Sequence, residues 1–314
     1  MKVLITGAAG FLGSHLCEYF LKKGFDVVGV DNFITGTPEN LSSYTDRDNF
    51  SFIEHDVIEP FPFPDDFDLI LHFACPASPV DYLKHPLRTM KVDSIGTLNM
   101  LELARKSDAI FVFASTSEVY GDPAVHPQTE DYWGNVNPTG SRSVYDEAKR
   151  FSEALTMAYH RKYGLDVRLP RIFNTYGPRM QLDDGRVVPN FIIQALKGQD
   201  LTVHGDGLQT RSFCYVDDLI QGLFRFSTRE GLSGEILNMG NPEEYRIIDF
   251  ARIVVEITGS NSQIIYFPLP EDDPKQRCPD IRKAQKLLDW HPQTPLDDGL
   301  GKTLHFFKSK IRVK

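Results

Sequence analysis

The sequence predicts an α/β protein in which a doubly wound parallel sheet is joined to a smaller, interleaved C-terminal lobe. In the first half of the chain, short β-branched runs alternate with segments of helical periodicity, as in a parallel sheet covered by helices on both faces. The first run leads through a glycine-rich turn directly into a helical segment. After about residue 174, loops rich in Gly, Pro and Asp separate shorter elements. These observations indicate a Rossmann-type sheet followed by a smaller unit.

Strands and helices of the first half follow from the spacing of apolar residues. The strands are predicted at about 2–6, 26–31, 51–55, 68–73, 109–115 and 166–173. Apolar spacing near 3.6 residues predicts helices over 11–23, 86–106 and 144–163. The last two helices carry more apolar surface than one buried face needs. A homodimer that pairs helices 86–106 and 144–163 would explain the excess, and so would a thick core.

The boundary between the two units is predicted to be interleaved. The stretch of about 211–238 is expected to return to the main sheet. The sheet domain therefore comprises residues 1–173 and about 211–238, and the lobe comprises about 174–210 and 239–314.

Charge limits the classes of partner. Among 314 residues, 34 Lys and Arg stand against 43 Asp and Glu, which gives a formal net charge of −9. Such a surface repels nucleic acid, so no nucleic-acid partner is expected. A small anionic substrate fits this charge only where particular arginines make its site locally positive.

Location and metal content are predicted from the N-terminus and the cysteines. No apolar run approaches the roughly 20 residues that span a bilayer, so no membrane association is expected. The apolar start could begin a signal peptide, but Gly7, Gly10 and Gly13 interrupt it, and a buried strand of a cytoplasmic protein is preferred. The four cysteines lie far apart, without a C-x-x-C pair or a histidine cluster, so neither a disulfide framework nor a metal site is predicted.

The turn after the first strand has the spacing of a dinucleotide site. A pyrophosphate must approach backbone N–H groups at a helix N-terminus, where side chains would block it. Gly7 permits the tight turn, Gly10 the close approach, and Gly13 the close packing of helix on strand. Glycines also occur in ordinary turns, but this pattern stands in the required strand–turn–helix context.

Asp31 ends the second strand, 18 residues after Gly13. A carboxylate there accepts hydrogen bonds from the adenosine ribose hydroxyls and repels the 2′-phosphate of NADP. No arginine follows within several residues to receive that phosphate. The sequence thus favours NAD over NADP, with a turn-capping aspartate as the alternative interpretation.

Tyr145 and Lys149 stand four residues apart at the start of a predicted helix, and therefore on one face. A tyrosine that acts as a base near pH 7 needs its pKa lowered by roughly three units, about 4 kcal/mol. A neighbouring ammonium and the positive nicotinamide ring stabilise the phenolate, and the lysine can also hold the nicotinamide ribose. Without further context, Tyr145 and Lys149 would be interpreted as two solvent-exposed residues on one helix face. After a dinucleotide fold and a strand that ends near Thr116, it predicts a catalytic triad.

These residues together resemble the extended short-chain dehydrogenases that remodel nucleotide sugars, and the resemblance covers essentially the whole chain. In that family NAD stays bound, removes hydride from sugar C4 and later returns it. The resemblance implies that the sheet domain binds NAD and that the lobe, entered through residues 171–179, binds a nucleotide sugar. The further NAD contacts that it implies are Phe11, Leu12, Asn32, Phe33, Gly36, Asp56, Val57, Phe73 and Ala74.

The residues after the catalytic threonine distinguish the possible reactions. Family dehydratases place Asp-Glu there, whereas this chain has Ser117 and Glu118, which argues against dehydration. A 4-epimerase needs no added carboxyl group at the Glu118 position. A uronic acid oxidised at C4 becomes a β-keto acid, which releases CO2 to leave an enolate and then needs a donor to reprotonate C5.

Glu118 beside a substrate carboxylate would be repulsive unless it were protonated, bridged by water, or paired with a cation such as Arg277. The combined pattern resembles the UDP-glucuronate decarboxylases, which make UDP-xylose. The resemblance implies that Glu118 and Arg277 help break the carbon–carbon bond and govern C5 protonation, and that Ser117 lies by the sugar carboxylate. The matching stretches are 75–79, 115–123, 132–138, 145–150 and the segment around Arg277.

The same resemblance implies the remaining substrate contacts. Asn174 and Arg211 are expected at the diphosphate, where arginine forms forked hydrogen bonds. Arg277 and Pro79 also belong to the expected substrate site. The uridine is expected between residues that ordinary packing would also explain, namely Val188, Asn190, Leu201 and Val203.

Two positions depart from the family pattern. Cys75 stands where serine is common, a near-isosteric change, and Asp93 stands where asparagine is usual. The second change is expected to alter a contact near the site and to affect catalytic rate more than reaction class.

Three functions compete. Decarboxylation of UDP-glucuronate explains the most residues. A 4-epimerase acting on UDP-glucuronate or UDP-glucose is disfavoured by Ser117, Glu118 and Arg277. A non-catalytic NAD-sensing or scaffold protein is disfavoured by the intact set of Thr116, Tyr145 and Lys149.

Overall fold

A parallel sheet with helices on both faces forms the centre of the computed structural model, which describes residues 1–61, 66–270 and 272–312. The strands are β1 (Lys2–Thr6), β2 (Asp26–Asp31), β3 (Phe50–Glu54), β4 (Leu69–His72), β5 (Ile110–Phe113), β6 (Ser115–Thr116), β7 (Val167–Ile172), β8 (Thr175–Tyr176), β9 (Leu201–His204), β10 (Thr210–Ser212), β11 (Cys214–Tyr215), β12 (Ile236–Met239), β13 (Glu244–Arg246), β14 (Ile264–Phe267) and β15 (Gln276–Arg277).

The helices follow the strands in the alternating order that the first half of the sequence predicts. They are α1 (Phe11–Lys22), α2 (Pro79–Lys84), α3 (Pro86–Lys91), α4 (Thr97–Ser107), α5 (Ser143–Tyr163), α6 (Val187–Leu196), α7 (Val216–Thr228), α8 (Ile247–Thr258), α9 (Arg282–Leu288) and α10 (Leu296–Arg312). Short 3₁₀ turns lie at Pro38–Asn40 and Ser117–Tyr120, and a π-helical turn lies at Val92–Gly96.

The main sheet has the strand order β3-β2-β1-β4-β5-β7-β12, with β6 also paired to β7. Its pairs are parallel, so Leu4 of β1 lies between Val28 of β2 and Ile70 of β4. Alternate residues of a strand point to opposite faces. Leu4 therefore packs in one hydrophobic core, while Val3 and Ile5 pack in the other. The predicted doubly wound α/β class is confirmed.

The helix predicted over 86–106 is not continuous. Pro86 begins α3, and the π-helical turn Val92–Gly96 separates α3 from α4. A π turn inserts one extra residue per turn, so it rotates the side chains that follow it relative to an unbroken helix. Apolar spacing near 3.6 continues on both sides of the insertion, which is why the sequence pattern alone predicts a single helix.

The chain after β7 contributes one further strand to the main sheet and builds smaller sheets beside it. β12 pairs with β7 at the sheet edge, and α7 packs against α1. The smaller sheets are β13-β10-β15, β11-β8 and β14-β9. They flank the carboxyl ends of the main strands, the edge at which open α/β sheets bind ligands.

The four cysteines and the helices bear on the expected redox state and membrane association. Cys17, Cys75, Cys214 and Cys278 are free thiols. In the ranges that the structure describes, no helix has both the length and the apolar character needed to cross a bilayer.

Candidate active site

A cavity of about 990 Å³ opens at the carboxyl edge of the main sheet. Its walls come from the turn after β1, the segment after β5, the start of α5 and the region around α6. The sheet domain and the smaller sheets therefore contribute to one shared cleft. A much smaller cavity, of about 40 Å³, adjoins it beyond Gly7 and is lined by Asp31, Asn32, Val57 and Ala74.

The glycine turn has the geometry that a pyrophosphate cradle requires. Gly7 has φ +71°, in the left-handed region that favours glycine, and a Cβ there would lie 2.8 Å from the carbonyl oxygen of Phe73. A Cβ on Gly13 would overlap the Gly7 carbonyl. α1 begins at Phe11, directly after this turn, so its N-terminal N–H groups face the cleft.

Asp31 lies at the end of β2 and is held against the glycine turn. Its carboxylate accepts hydrogen bonds from the backbone N–H groups of Ala9, at 2.9 Å, and Phe33, at 2.8 Å. Burial raises its pKa, although these N–H groups act in the opposite direction. Together, the open cradle and the fixed carboxylate fit a dinucleotide whose ribose lies beside β2.

The other predicted cofactor residues surround these two features. Phe11, Leu12 and Phe73 line the large cavity. Asn32 donates to Asp56 at 3.1 Å. Gly36 lies against the Asp31 carboxylate, where a Cβ would come within 3.0 Å of Oδ2. Most of the expected contacts thus line the large cavity or the small one beside it, and Gly36 and Asp56 lie behind Asp31 and Asn32.

Thr116, Tyr145 and Lys149 come together where the sheet meets α5. Tyr145 and Lys149 lie one turn apart on α5, both buried, and the Thr116 hydroxyl hydrogen-bonds the Tyr145 phenol. The Lys149 Nζ lies 5.7 Å from the centroid of the Tyr145 ring, on which Tyr82 stacks. Burial raises the pKa of Tyr145 above its usual value, and the charge of Lys149 is the largest influence that lowers it.

Glu118 lies in the 3₁₀ turn that follows Thr116, between two arginines. Its Oε2 accepts hydrogen bonds from Arg142, at 2.6 Å, and from Arg277, at 3.2 Å. Arg277 also donates to the Ser117 carbonyl at 2.7 Å. Burial alone would raise the pKa of Glu118, but the charges of Arg277 and Arg142 outweigh burial and hold that pKa below its usual range. Glu118 is therefore an ionised carboxylate near neutral pH.

The two arginines differ in whether their side chains are exposed to the cavity. Arg277 is 1% exposed and lies behind Ser117 and Glu118, outside the set of described residues that line the cavity. Arg142, with 17% of its side chain exposed, lines the cavity directly. Sequence reasoning missed Arg142. Its position three residues before Tyr145, on the same side of the chain entering α5, is the signal that could have identified it.

Five of the predicted substrate contacts line the cavity, and three do not, namely Leu201, Val203 and, as described above, Arg277. Asn174, Val188, Asn190, Arg211 and Pro79 form part of its wall. Leu201 and Val203 are fully buried in the hydrophobic core. Because successive residues of a strand face opposite sides, the members of β9 that line the cavity are Thr202 and His204.

Further positive charge in the cavity comes from arginines that already have partners. Arg211 donates to Asp273 at 2.9 Å, and Arg186 donates to Asp184 at 2.5 Å. Both arginines line the cavity. The cleft thus offers guanidinium groups to an anionic ligand although the whole chain is acidic, and each of these two arginines is paired with a carboxylate in the cavity wall. Across the described residues, no group of three or more His, Cys, Asp or Glu is arranged to hold a metal ion.

Known proteins are similar to this chain over nearly its whole length. A family model described as the NAD dependent epimerase/dehydratase family matches residues 3–240. UDP-glucuronic acid decarboxylase 1 of Xenopus tropicalis is 50% identical over 310 residues, which cover 99% of this chain and 73% of that protein. UDP-glucuronic acid decarboxylase 6 of Arabidopsis thaliana is 49% identical over 314 residues, which cover 100% of this chain and 90% of that protein. The chain belongs to the UDP-glucuronic acid decarboxylase family.

Solved structures of related enzymes have the same fold. The UDP-glucuronic acid 4-epimerase of Bacillus cereus, solved with UDP-glucuronic acid and NAD, superposes with a TM-score of 0.88 at 32% identity, covering 99% of this chain and all of that one. The predicted family, its NAD dependence and its Rossmann-type fold are confirmed. The roles assigned to individual residues stay predictions.

Both departures from the decarboxylase family pattern lie beside Lys149. The Asp93 Oδ1 accepts a hydrogen bond from Lys149 Nζ at 2.9 Å, and the Cys75 thiol donates to Oδ2 at 3.1 Å. The expectation that Asp93 alters a contact near the site agrees with this position, which the π-helical turn creates.

Proposed function

We propose that this protein decarboxylates UDP-glucuronate to UDP-xylose through a 4-keto intermediate, with tightly bound NAD that is reduced and reoxidised in each cycle. The observation that carries the proposal is the position of Glu118. Its carboxylate accepts hydrogen bonds from two arginines. It also lines the same cleft as Thr116, Tyr145 and the glycine turn. The names of the relatives described above support the same reaction.

Oxidation of the sugar requires a base at the C4 hydroxyl. Tyr145 takes that role, and Thr116 hydrogen-bonds both the phenol and the reacting hydroxyl. Lys149 supplies positive charge to the phenolate, which offsets part of the rise in pKa that burial causes. Gly7, Gly13 and Asp31 are the residues that would hold the pyrophosphate and ribose of NAD. NAD bound there would supply the hydride acceptor for C4 and, at the end of the cycle, the hydride donor.

Carbon–carbon cleavage then follows from the chemistry of the substrate. The C5–C6 bond breaks, its electron pair moves into the C4 carbonyl to give an enolate, and CO2 leaves. An ionised Glu118 would repel the departing carboxylate, so the cations on both sides of it are needed. Arg142 faces the cleft and holds the substrate carboxylate beside Ser117. Arg277 holds Glu118 in place beside the sugar, and solvent water donates the proton that C5 of the enolate takes up.

A second candidate is epimerisation at C4 of UDP-glucuronate or UDP-glucose. The structural similarity to the Bacillus cereus epimerase favours it, because that enzyme was solved with the same sugar nucleotide. The sequence identity is higher to the decarboxylases, at 50% against 32%. We therefore rank decarboxylation first.

Assembly and location complete the proposal. We infer a homodimer formed through residues 86–106 and 144–163, because these segments carry exposed apolar side chains at a surface of an acidic protein. The exposed residues are Leu87, Met90, Ile95, Leu98 and Phe151.

The free thiols support a cytoplasmic location. The pairing of β12 with β7 supports a sheet domain that includes residues 211–238.

Proton NMR of one reaction tests the proposal. Purified protein incubated with UDP-glucuronate should release CO2 and give the anomeric signal of a pentose nucleotide, without net reduction of NAD. Accumulation of UDP-galacturonate would instead identify an epimerase. The absence of turnover with either nucleotide sugar would indicate a non-catalytic protein. Tyr145→Phe serves as the inactive control.

A further inference from the structure

Asp93 is a fully buried carboxylate in contact with the catalytic lysine. Besides the bonds from Lys149 and Cys75, its backbone carbonyl accepts a hydrogen bond from the Ser152 hydroxyl. Lys149 itself is anchored a second time, on the carbonyl of Ala114 at 3.1 Å. The charge of the lysine is therefore matched by an opposite charge at hydrogen-bond distance, in a region closed to water.

Other titratable groups face Tyr145 and Lys149 from several elements. His72 on β4 has its pKa lowered to about 3 by burial and then by Lys149, so it is neutral. Asp146 lies on α5 beside the Glu118–Arg142 pair, and Arg186 precedes α6. The groups that surround the phenol and the ammonium are His72, Cys75, Tyr82, Asp93, Asp146 and Arg186.

We propose that Asp93 is a positioning residue that acts through Lys149: it anchors the ammonium and sets how much of its positive charge reaches the phenol of Tyr145. The proposal rests on the proposed function, in which Tyr145 is the base, and adds a residue at which this chain departs from the family pattern. Asparagine at this position would keep the hydrogen bond and remove the charge.

The direction of the effect follows from the signs of the charges. Lys149 lowers the pKa of Tyr145, and Asp93 raises it. Burial lowers the pKa of Lys149, and Asp93 raises it strongly enough to keep the ammonium charged. Loss of the Asp93 charge therefore makes the phenol more acidic and the ammonium easier to deprotonate.

The variant Asp93→Asn tests this through the pH dependence of kcat/KM for UDP-glucuronate. The acid limb reports the pKa of the base in the free enzyme. It should move to lower pH by roughly one unit, as expected for loss of one charge a few ångströms from a buried phenol. Activity should also fall at alkaline pH, where Lys149 loses its proton, while KM stays within about twofold. Cys75→Ser, which keeps a donor to Asp93, should retain the wild-type profile.

A second measurement needs no turnover. Burial and then Asp93 raise the pKa of the Cys75 thiol. In Asp93→Asn, alkylation of Cys75 by iodoacetamide, followed by peptide mass spectrometry, should be faster than in the wild type. The rate should rise by up to about tenfold for each unit by which the thiol pKa falls.

These outcomes separate the inference from the proposed function. A wild-type protein without turnover would refute the proposed function, whereas the Cys75 measurement would still test the contact with Asp93. An unchanged acid limb in a variant that melts at the wild-type temperature would overturn the inference. A loss of kcat that is equal at every pH would also overturn it, because a purely structural residue would have that effect.

Discussion

Arg142 is the residue whose removal most directly tests how the substrate carboxylate is held. Its guanidinium donates to Glu118 at 2.6 Å, and both side chains are only 17% exposed. A guanidinium has five N–H donors, so Arg142 can hold Glu118 and also bind a ligand in the cavity that it lines. A hydrogen bond between charged groups in such a setting contributes about 1.5–3 kcal/mol. Replacement by methionine should therefore weaken binding of UDP-glucuronate by roughly 10- to 100-fold.

The measurement separates the carboxylate from the rest of the ligand. Calorimetric titrations would be made in the Tyr145→Phe background, where turnover is blocked and Kd is measured directly. Arg142→Met should weaken UDP-glucuronate and leave UDP almost unchanged, because UDP has no carboxylate. Arg161→Met serves as the matched control, since it removes the same charge from an exposed position on the same helix.

Two results would contradict this reasoning. Equal losses for UDP and UDP-glucuronate would mean that Arg142 supports the nucleotide pocket or the fold. Unchanged affinity for both ligands would mean that Arg142 only holds Glu118. Either result would mean that another arginine, such as Arg277 or the cavity-lining Arg186, holds the substrate carboxylate.

Three further predictions concern the base, the buried arginine and the assembly. Tyr145→Phe should lower kcat by about 10²- to 10⁴-fold, the usual contribution of a general base, while NAD released on denaturation stays at the wild-type amount. Full activity in this variant would remove Tyr145 from the mechanism. Arg277→Ala should reduce CO2 release more than NAD affinity, measured by product NMR and cofactor titration, because Arg277 contacts Ser117 and Glu118. Phe151→Asp, at a side chain that is 52% exposed on α5, should convert a dimer to a monomer in sedimentation experiments. Trp133→Asp, outside both helices, should stay dimeric, and a monomeric wild type would contradict the proposed assembly.

The sheet and the cofactor cradle could be predicted because their signals are local. The six predicted strands agree with β1 to β5 and β7 to within two or three residues at each end. Each is a short β-branched run, and parallel strands buried on both faces are almost continuously apolar. Gly7 and Gly13 are also local signals, because their spacing lies within one strand–turn–helix segment, although a Cβ at Gly7 would meet the backbone of Phe73 after β4. The spacing of such residues is visible in the sequence without knowledge of tertiary contacts.

The cluster of Glu118, Arg142 and Arg277 could be predicted only in part, because its members come from distant segments. Glu118, Arg142 and Arg277 lie on a 3₁₀ turn, at the start of α5 and on β15. The resemblance identified Glu118 and Arg277, whereas the one signal for Arg142 is its spacing of three residues from Tyr145, which an ordinary surface arginine could also have. In β9, the apolar residues Leu201 and Val203 were expected to contact the uridine, and they pack in the core instead. The side of a strand that faces a cavity depends on which sheet covers it, and sequence alternation does not say which side that is.

The interrupted helix at residues 86–107 combines a local backbone feature with contacts between distant segments. A helix of uniform 3.6 periodicity would place residues 92–96 in register with the turns before and after them, and the apolar pattern predicted such a helix. The π-helical turn Val92–Gly96 changes that register and brings Asp93 to Lys149 and Cys75. An unpaired carboxylate would be costly to bury inside a helix that covers a sheet. Asp93 in this turn therefore needs the positive charge of Lys149 as its partner. Asp93, which departs from the family pattern, therefore lies within the backbone irregularity, where its carboxylate is next to Lys149 and near Tyr145, the proposed base.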